Sequence, residues 1–512
     1  MLLTRLLLLG RGTLSDYDER RYLQSFAAVR AAVHGNWHAV AYDLSMTDAR
    51  PLDALWRCLP AAVQLALHRW AGWSLFGYPT LLVPTGLNWV ATVLTACFFY
   101  RISQRLLADL PASTSWALVV AVLYASLANT SLYVRHVAPY DGALLLFMGL
   151  LAWVLRQPPG PRGWFWMKLG LGAGLLWLTY PGYYAGPVLL VAPLLDWRRP
   201  LPWVVQHAGR LLLLGAGFAL PLLVAEGLSR LGGAPPFWAV SYDLSLHILQ
   251  GSPEEGYTFA FKYLWQVESW LGIALLGLLA VALWQAARAM MQVGWVALVP
   301  SAPRQRLLLA AALLFLAHAS AAALGHRIVW YGRLLHLYLP WLVLAAVVPL
   351  ARSRATWATA LAIAACLLGV VHYGQFFHDF QQLVYPPDLV ARYHLGCLPP
   401  TQLRYYTEVK VANDLLYPVQ GAGMPAPEAC PPARATADSV TVLVNFALLY
   451  PLTAATRQPA YLPKPTARQL LEQPYFGSFP AYRFEGLSPA ERTEAIQRQF
   501  KLRILREPAA VK

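Results

Sequence analysis

Two adjacent carboxylates, Asp18 and Glu19, follow a short apolar segment and precede Tyr22. A carboxylate at such a boundary can act as general base toward a hydroxyl acceptor, while a lipid-borne donor stays in the bilayer. The same pair is also typical of a helix N-terminus, where negative charge is favourable. The pattern therefore predicts either a catalytic base, Asp18 or Glu19, or a charged helix start.

A second group of charged residues, Arg135, His136 and Asp141, falls in a turn of a few residues between two apolar runs. A guanidinium binds phosphate well because its paired N–H donors match two phosphate oxygens. An internal ion pair between Arg135 and Asp141 would satisfy both charges without any ligand. The sequence leaves both interpretations open.

A third group, His326, Arg327, Arg333 and His336, lies in another short turn between apolar runs. Two arginines here indicate a phosphate partner if the turn is on the outer side, where the positive-inside rule disfavours them. The alternative is that the long side chains reach toward lipid headgroups with no specific ligand.

Three tyrosines, Tyr180, Tyr183 and Tyr184, surround a Pro-Gly turn between two short apolar runs. Tyrosines at such a tip favour anchoring in the membrane interface. Stacking of their rings on a sugar is the second interpretation.

The composition requires a membrane. Of 512 residues, 58% are hydrophobic and only 13% are charged, far from the balance of a soluble protein. The net charge of +15 does not indicate nucleic-acid binding, because no recognised binding motif accompanies it. Anionic membrane lipids are the expected partners of the basic residues.

Apolar runs near the length of a membrane span recur along the first three quarters of the chain. The candidate spans are 80–100, 115–133, 137–155, 165–179, 182–195, 211–228, 269–287, 307–325, 334–350 and 355–374. Arginine and lysine cluster after every second span, which places these clusters together on the cytoplasmic side. The three charged groups described above then face outward, as do residues 13–79 and everything after residue 375.

The sequence thus predicts an all-α polytopic membrane protein of about 10–11 helices with a small α+β domain. Residues 1–375 form the membrane domain, with a long first outer loop at 13–79 whose two amphipathic stretches lie in the membrane interface. Residues 2–9 are interpreted as the end of a first helix. Residues 376–512 form a soluble extracytoplasmic domain, with a strand at Val440–Phe446 and a helix start at 466–469.

The arrangement resembles the GT-C superfamily of polyprenyl-phosphate-sugar glycosyltransferases, especially the family 39 protein O-mannosyltransferases and the bacterial lipid A aminoarabinose transferases. The resemblance spans roughly residues 1–375. It rests on these motifs, in the family's order: Asp18-Glu19-x-x-Tyr22, Arg50-Pro51-Leu52, Arg135…Asp141 and Arg333…Pro340. It implies that Asp18 or Glu19 is the catalytic base and that Arg135 and Arg333 hold the lipid phosphate.

The expected function is transfer of a sugar from a polyprenyl-phosphate donor to a lipid, glycan or protein acceptor at the outer face of the cytoplasmic membrane. The expected catalytic residues are Asp18 and Glu19. The expected substrate-binding residues are Tyr22, Arg135, His136, Asp141, Arg327 and Arg333. No cofactor is predicted, and a divalent metal stays open.

Two other classes of function compete with this one. The first is a non-catalytic membrane protein that binds or translocates a glycolipid. The second is a polymerase or ligase of surface polysaccharide, which a very large outer loop would favour.

Overall fold

The computed structural model describes most of the membrane domain and four strands beyond it. The described residues are 1–10, 19, 21–47, 49–73, 75, 78–157, 163–250, 256–293, 300–325, 332–353, 355–381, 402–406, 439–445, 465–474 and 501–508. The helices of the first loop are α1 (Tyr22–Val33), α2 (Trp37–Ser45) and α3 (Pro51–Ala71).

The helices that follow build the bundle. They are α4 (Tyr78–Leu106), α5 (Ser113–Ser126), α6 (Asn129–Leu132), α7 (Tyr140–Val154), α8 (Gly163–Thr179), α9 (Ala185–Val191), α10 (Pro200–Gln206), α11 (Ala208–Leu231), α12 (Phe237–Gln250), α13 (Phe259–Val267), α14 (Ser269–Val293), α15 (Pro303–Gly325), α16 (Gly332–Leu335), α17 (Leu339–Arg352) and α18 (Thr356–Gln381).

Helical structure occupies each of the ten predicted spans, and the polytopic α-helical fold is confirmed. Among the described helices, four are long and apolar enough to cross a membrane: Pro79–Leu106, Ala208–Leu231, Ser269–Gln292 and Thr356–His378. Shorter apolar helices occupy most of three more predicted spans: Ser113–Ser126, Tyr140–Val154 and Leu339–Arg352.

Three predicted spans are helical over only part of their length. Helix α5 ends at Ser126 instead of residue 133, α7 begins at Tyr140 instead of residue 137, and α17 begins at Leu339 instead of residue 334. Hydropathy reports apolar content but not backbone conformation, so an apolar turn next to a helix reads as part of it. All three interruptions fall where the sequence analysis placed candidate site residues.

The N-terminal segment also differs from its prediction. In place of the last turns of a membrane helix, Thr4–Leu8 forms one short 3-10 helix with Arg5 and Leu8 buried. The carbonyl of Leu2 accepts a hydrogen bond of 2.8 Å from the indole N–H of Trp89 on α4. The segment therefore lies along the bundle and brings a buried guanidinium into it.

Helix α3 has its polar residues turned toward the protein. Asp53, Arg57 and Gln64 are buried, whereas Leu55 and Leu59 are 54% and 66% exposed. This orientation is expected of a helix that lies in a membrane interface, with its apolar face in lipid and its polar face against the bundle.

The strands beyond the bundle form one mixed sheet: β1 (Leu403–Tyr406), β2 (Ser439–Asn445), β3 (Arg468–Pro474) and β4 (Lys501–Pro508), in the order β1-β2-β4-β3. Strand β1 pairs parallel to β2, and the other pairings are antiparallel. The predicted strand at 440–446 is present as β2. The predicted helix start at 466–469 is wrong, because these residues lead into β3, which pairs with β4.

Candidate active site

The segment between α5 and α7, residues 127–139, is the centre of the site and is called here the 127–139 turn; it is irregular apart from the single turn of α6. Irregular backbone at membrane depth is tolerated only where protein groups satisfy its N–H and C=O groups. Arg5, which is fully buried, supplies part of this. Its guanidinium donates to the carbonyl of Ala125 at 2.6 Å and to that of Thr130 at 2.9 Å.

Glu19 holds the other end of the turn. Its Oε1 accepts a hydrogen bond of 2.6 Å from the backbone N–H of Val137, and its Oε2 lies 3.2 Å from Nδ1 of His136. Glu19 has no exposed surface, and His136 is 1% exposed. Two residues predicted from separate motifs are therefore in direct contact.

Two buried side chains brace the turn from the first loop and α4. The Arg57 guanidinium donates to the carbonyl of Ala138, and the Asn88 amide donates to the carbonyl of His136. Arg57 is itself held by Asp53, whose carboxylate oxygens lie 3.0 and 3.1 Å from its Nε. The Asp53–Arg57 pair at the (i, i+4) spacing of a helix thus fixes the turn as well as α3.

A line of tyrosines connects the turn to two arginines. Tyr140 and Tyr180 pack edge to face with ring centroids 5.0 Å apart. The Arg50 guanidinium lies 5.1 Å from the centroid of Tyr180, and that of Arg333 lies 5.8 Å from the centroid of Tyr140. Arg333 also donates to the Tyr140 hydroxyl at 2.9 Å. Two cations from opposite parts of the chain thus flank one aromatic pair.

Two of the three hairpin tyrosines are buried, so the prediction that they anchor in the membrane interface is wrong for these two. Tyr180 is 4% exposed and Tyr183 is 1% exposed, and their rings pack 5.0 Å apart within the bundle. Only Tyr184 of the three has substantial exposure, 36%. The hairpin tip therefore lines the interior beside Tyr140.

Two further predicted residues, Arg135 and Asp141, lie close to this centre. Arg135 is fully buried, and its Nε lies 3.3 Å from Nε2 of His136. Asp141, in the first turn of α7, is 3% exposed and experiences the positive charges of Arg5 and Arg57. Its Oδ2 has no hydrogen-bond partner among the described residues.

His336, from the third charged group of the sequence, packs against the 127–139 turn, which contains residues of the second group. Its ring lies 5.5 Å from that of Tyr133 in the 127–139 turn, and the side chain is 1% exposed. Nδ1 of His336 has no hydrogen-bond partner in the described part of the chain.

Tyr22 contributes to the loop and not to the aromatic line. It is 1% exposed and its hydroxyl donates to the amide oxygen of Gln64 on α3. Burial raises the pKa of this hydroxyl well above its usual range, which keeps it a neutral donor. Asp18, His326 and Arg327 lie outside the described residues.

Arg50, Arg57 and Asn88 belong to the site but were not among its predicted residues. Arg50 stands directly before the proline that starts α3, and its presence in the Arg50-Pro51-Leu52 motif was the available signal. Arg57 and Asn88 gave no signal, because single polar residues on helices are ordinarily solvated or act in packing. No group of three or more His, Cys, Asp or Glu residues that could hold a metal ion occurs in the described ranges.

Comparison with known proteins supports the fold. No protein-family model matches the chain, and no curated protein sequence matches it. Among solved structures, the chain is similar to the crystal structure of ArnT from Cupriavidus metallidurans bound to undecaprenyl phosphate. The identity is 12%, the TM-score is 0.50, and the match covers 99% of this chain and 96% of the other. The expected GT-C-type fold is thereby confirmed, and at this identity the likeness concerns fold alone.

Proposed function

We propose that this protein is a membrane glycosyltransferase that moves a sugar from a polyprenyl-phosphate donor to a lipid, glycan or protein acceptor. One observation carries the proposal: Arg50 and Arg333 flank the Tyr140–Tyr180 pair, beside the turn whose His136 contacts Glu19. Cations, aromatic faces and a carboxylate are the groups that a phosphate-linked sugar and an incoming hydroxyl require. The ArnT structure, which has the same fold, is bound to undecaprenyl phosphate.

Asp18 is the proposed general base. It would take the proton of the acceptor hydroxyl as that oxygen forms a bond to the anomeric carbon of the donor. The bond between the anomeric carbon and the phosphate oxygen breaks with its electron pair on that oxygen. Polyprenyl phosphate leaves with the added negative charge.

Arg50 and Arg333 are proposed to hold that phosphate. Preorganised cations aimed at the leaving oxygen stabilise the charge that develops in the transition state, in a site with little water to screen it. Arg135, buried within the turn, adds positive charge to the same region. Arg135 and Arg333 are the residues expected from the sequence to hold the phosphate. In this proposal Arg50 takes the place of Arg135, because the Arg50 guanidinium flanks the tyrosine pair opposite Arg333.

Glu19 is the second candidate base, and its contacts favour a different role. Both of its oxygens already engage the turn, one with the Val137 N–H and one with His136. A base must be within hydrogen-bond reach of the acceptor proton, and a carboxylate with both oxygens engaged is poorly suited to that task. Glu19 is therefore proposed to hold the 127–139 turn in place.

The proposed site faces away from the cytoplasm, together with the C-terminal domain. The distribution of arginine and lysine between spans supports this orientation. Alkaline phosphatase fused after residue 381 is expected to be active in a bacterial host. An inactive phosphatase beside an active cytoplasmic reporter at that point would reverse the orientation.

The function is tested by mass spectrometry of surface glycolipids and glycoproteins from a deletion strain complemented with variants. Wild type and Asp109→Asn, which lies away from the turn, should restore the lost sugar. Asp18→Asn should lower the transfer rate of purified protein about 10²–10⁴-fold. Full activity of Asp18→Asn would exclude it as the base, and restoration by Asp18→Asn/Glu19→Gln would favour a non-catalytic glycolipid-binding protein.

A further inference from the structure

Glu268 is a buried carboxylate for which the proposed reaction has no use. It lies between α13 and α14 and has no exposed surface. Its Oε2 accepts a hydrogen bond of 2.8 Å from the N–H of Ala128, and its Oε1 accepts one of 2.9 Å from that of Asn129. Nε2 of His372, on α18, lies 3.1 Å from Oε2.

These contacts follow from the interruption after α5. Helix α5 ends at Ser126, so the amides at the start of α6 have no helical carbonyl to reach. A carboxylate at the start of a helix satisfies such amides and is favoured there by the helix dipole. Without these donors the carboxylate would lose its water shell on burial and gain nothing in exchange. Glu268 thus caps α6 from a different part of the chain.

Asn129 connects Glu268 to Gly332, the residue directly before Arg333. Its side-chain amide donates to the carbonyl of Gly332 at 3.2 Å and also to the Tyr263 hydroxyl. Gly332 lies close against Tyr263, so a Cβ at this position would overlap the Tyr263 ring. The residue that follows is Arg333, whose guanidinium bonds the Tyr140 hydroxyl.

We infer that Glu268 is a positioning residue for the phosphate site: by fixing Asn129 it fixes Gly332 and so aims Arg333. The inference rests on the proposed function, in which Arg333 holds the donor phosphate. A carboxylate that only capped α6 would affect stability and leave phosphate binding unchanged. Two substitutions separate the roles. Glu268→Gln disturbs the cap, whereas Asn129→Ala removes the side-chain bonds to Gly332 and Tyr263 and keeps the backbone N–H that Glu268 accepts from.

The first measurement is the affinity of purified protein for undecaprenyl phosphate in detergent. Glu268→Gln and Asn129→Ala should each weaken binding on the order of tenfold, the size expected for coupled neighbours. In an Arg333→Met background the same substitutions should change affinity less than about twofold, because the residue through which they act is gone. Glu226→Gln, a carboxylate on α11 paired with Arg230, is the matched control and should bind as wild type does.

Equal losses in both backgrounds, or no loss in either, would overturn the inference. If Glu268→Gln does not fold, Asn129→Ala decides the same question. Hydrogen exchange gives a readout that needs no lipid. Both substitutions should speed exchange in 332–338, and an effect confined to 128–132 would reduce Glu268 to a cap. Failure of the wild type to bind the lipid would count against the proposed function, and hydrogen exchange would still decide the role of Glu268.

Discussion

Buried charges near the 127–139 turn bond mainly to backbone groups, whereas the ion pair at the loop after α4 joins two side chains. Arg5, Glu19 and Glu268 have no exposed surface and bond mainly to backbone N–H and C=O groups. Arg304, a buried residue on α15, also donates to one backbone carbonyl, that of Leu106, but its partner in that loop is a carboxylate open to water: Asp109, 2.6 Å away, has a side chain that is 59% exposed. The first group stabilises the break between α5 and α7, where backbone groups lack helical partners, and the second joins elements that are already formed.

Buried charged side chains allow the 127–139 turn to exist between apolar helices. A helix satisfies its own backbone, whereas a turn between apolar helices needs donors and acceptors from elsewhere. Charged side chains meet this need most strongly, and the backbone groups repay part of their desolvation. The same arrangement leaves tyrosine, histidine and arginine side chains in an interior that a continuous helix would have closed.

The largest effect should follow from Arg5→Met. The substitution leaves the carbonyls of Ala125 and Thr130 without their buried donor, and we expect a loss of about 3–5 kcal/mol in the free energy of unfolding. Graded unfolding of the purified protein in detergent mixtures measures it. Arg198→Met, at an exposed position, should change stability by less than about 0.5 kcal/mol. Equal stability of the two variants would show that the turn does not depend on Arg5.

A smaller effect should follow from Asp109→Asn. The ion pair is open to water on one side, so we expect its loss to cost less than about 1 kcal/mol. The hydrogen bond from Arg304 lowers the pKa of Asp109, and its contribution is therefore full above the unfolded pKa of about 3.9. The stability difference between wild type and Asp109→Asn should shrink as the pH falls through the lowered folded pKa. A difference that grows on acidification would contradict the assignment.

The sequence predicted the fold better than the site. Each span predicted from hydropathy holds helical structure in the described residues, because apolar length is what a membrane selects. It could not locate the ends of α5, α7 and α17, since Leu132 and Val137 are apolar whether the backbone is helical or not. The interruption after α5 depends on side chains that bond its backbone groups. Those side chains come from sequence positions as distant as Arg5 and Glu268.

Within the site, local motifs were informative and long-range pairings were not. The acidic motif and the Arg135-His136 pair were recognised separately, yet nothing in either predicts that Glu19 contacts His136. Arg50 illustrates the same limit, because its position near Tyr180 depends on how α3 packs against the bundle. Spacing along a chain reports neighbours on one helix, whereas this site is assembled from five or more separate segments.

The most direct test is binding of undecaprenyl phosphate to Arg50→Met and Arg333→Met proteins, with Arg230→Met as the exposed control. Each site substitution removes charged hydrogen bonds worth about 1.5–3 kcal/mol, so affinity should fall roughly tenfold to a hundredfold. The control, whose arginine is 76% exposed, should bind as wild type does. Wild-type affinity in both site variants would contradict a phosphate site between Arg50 and Arg333.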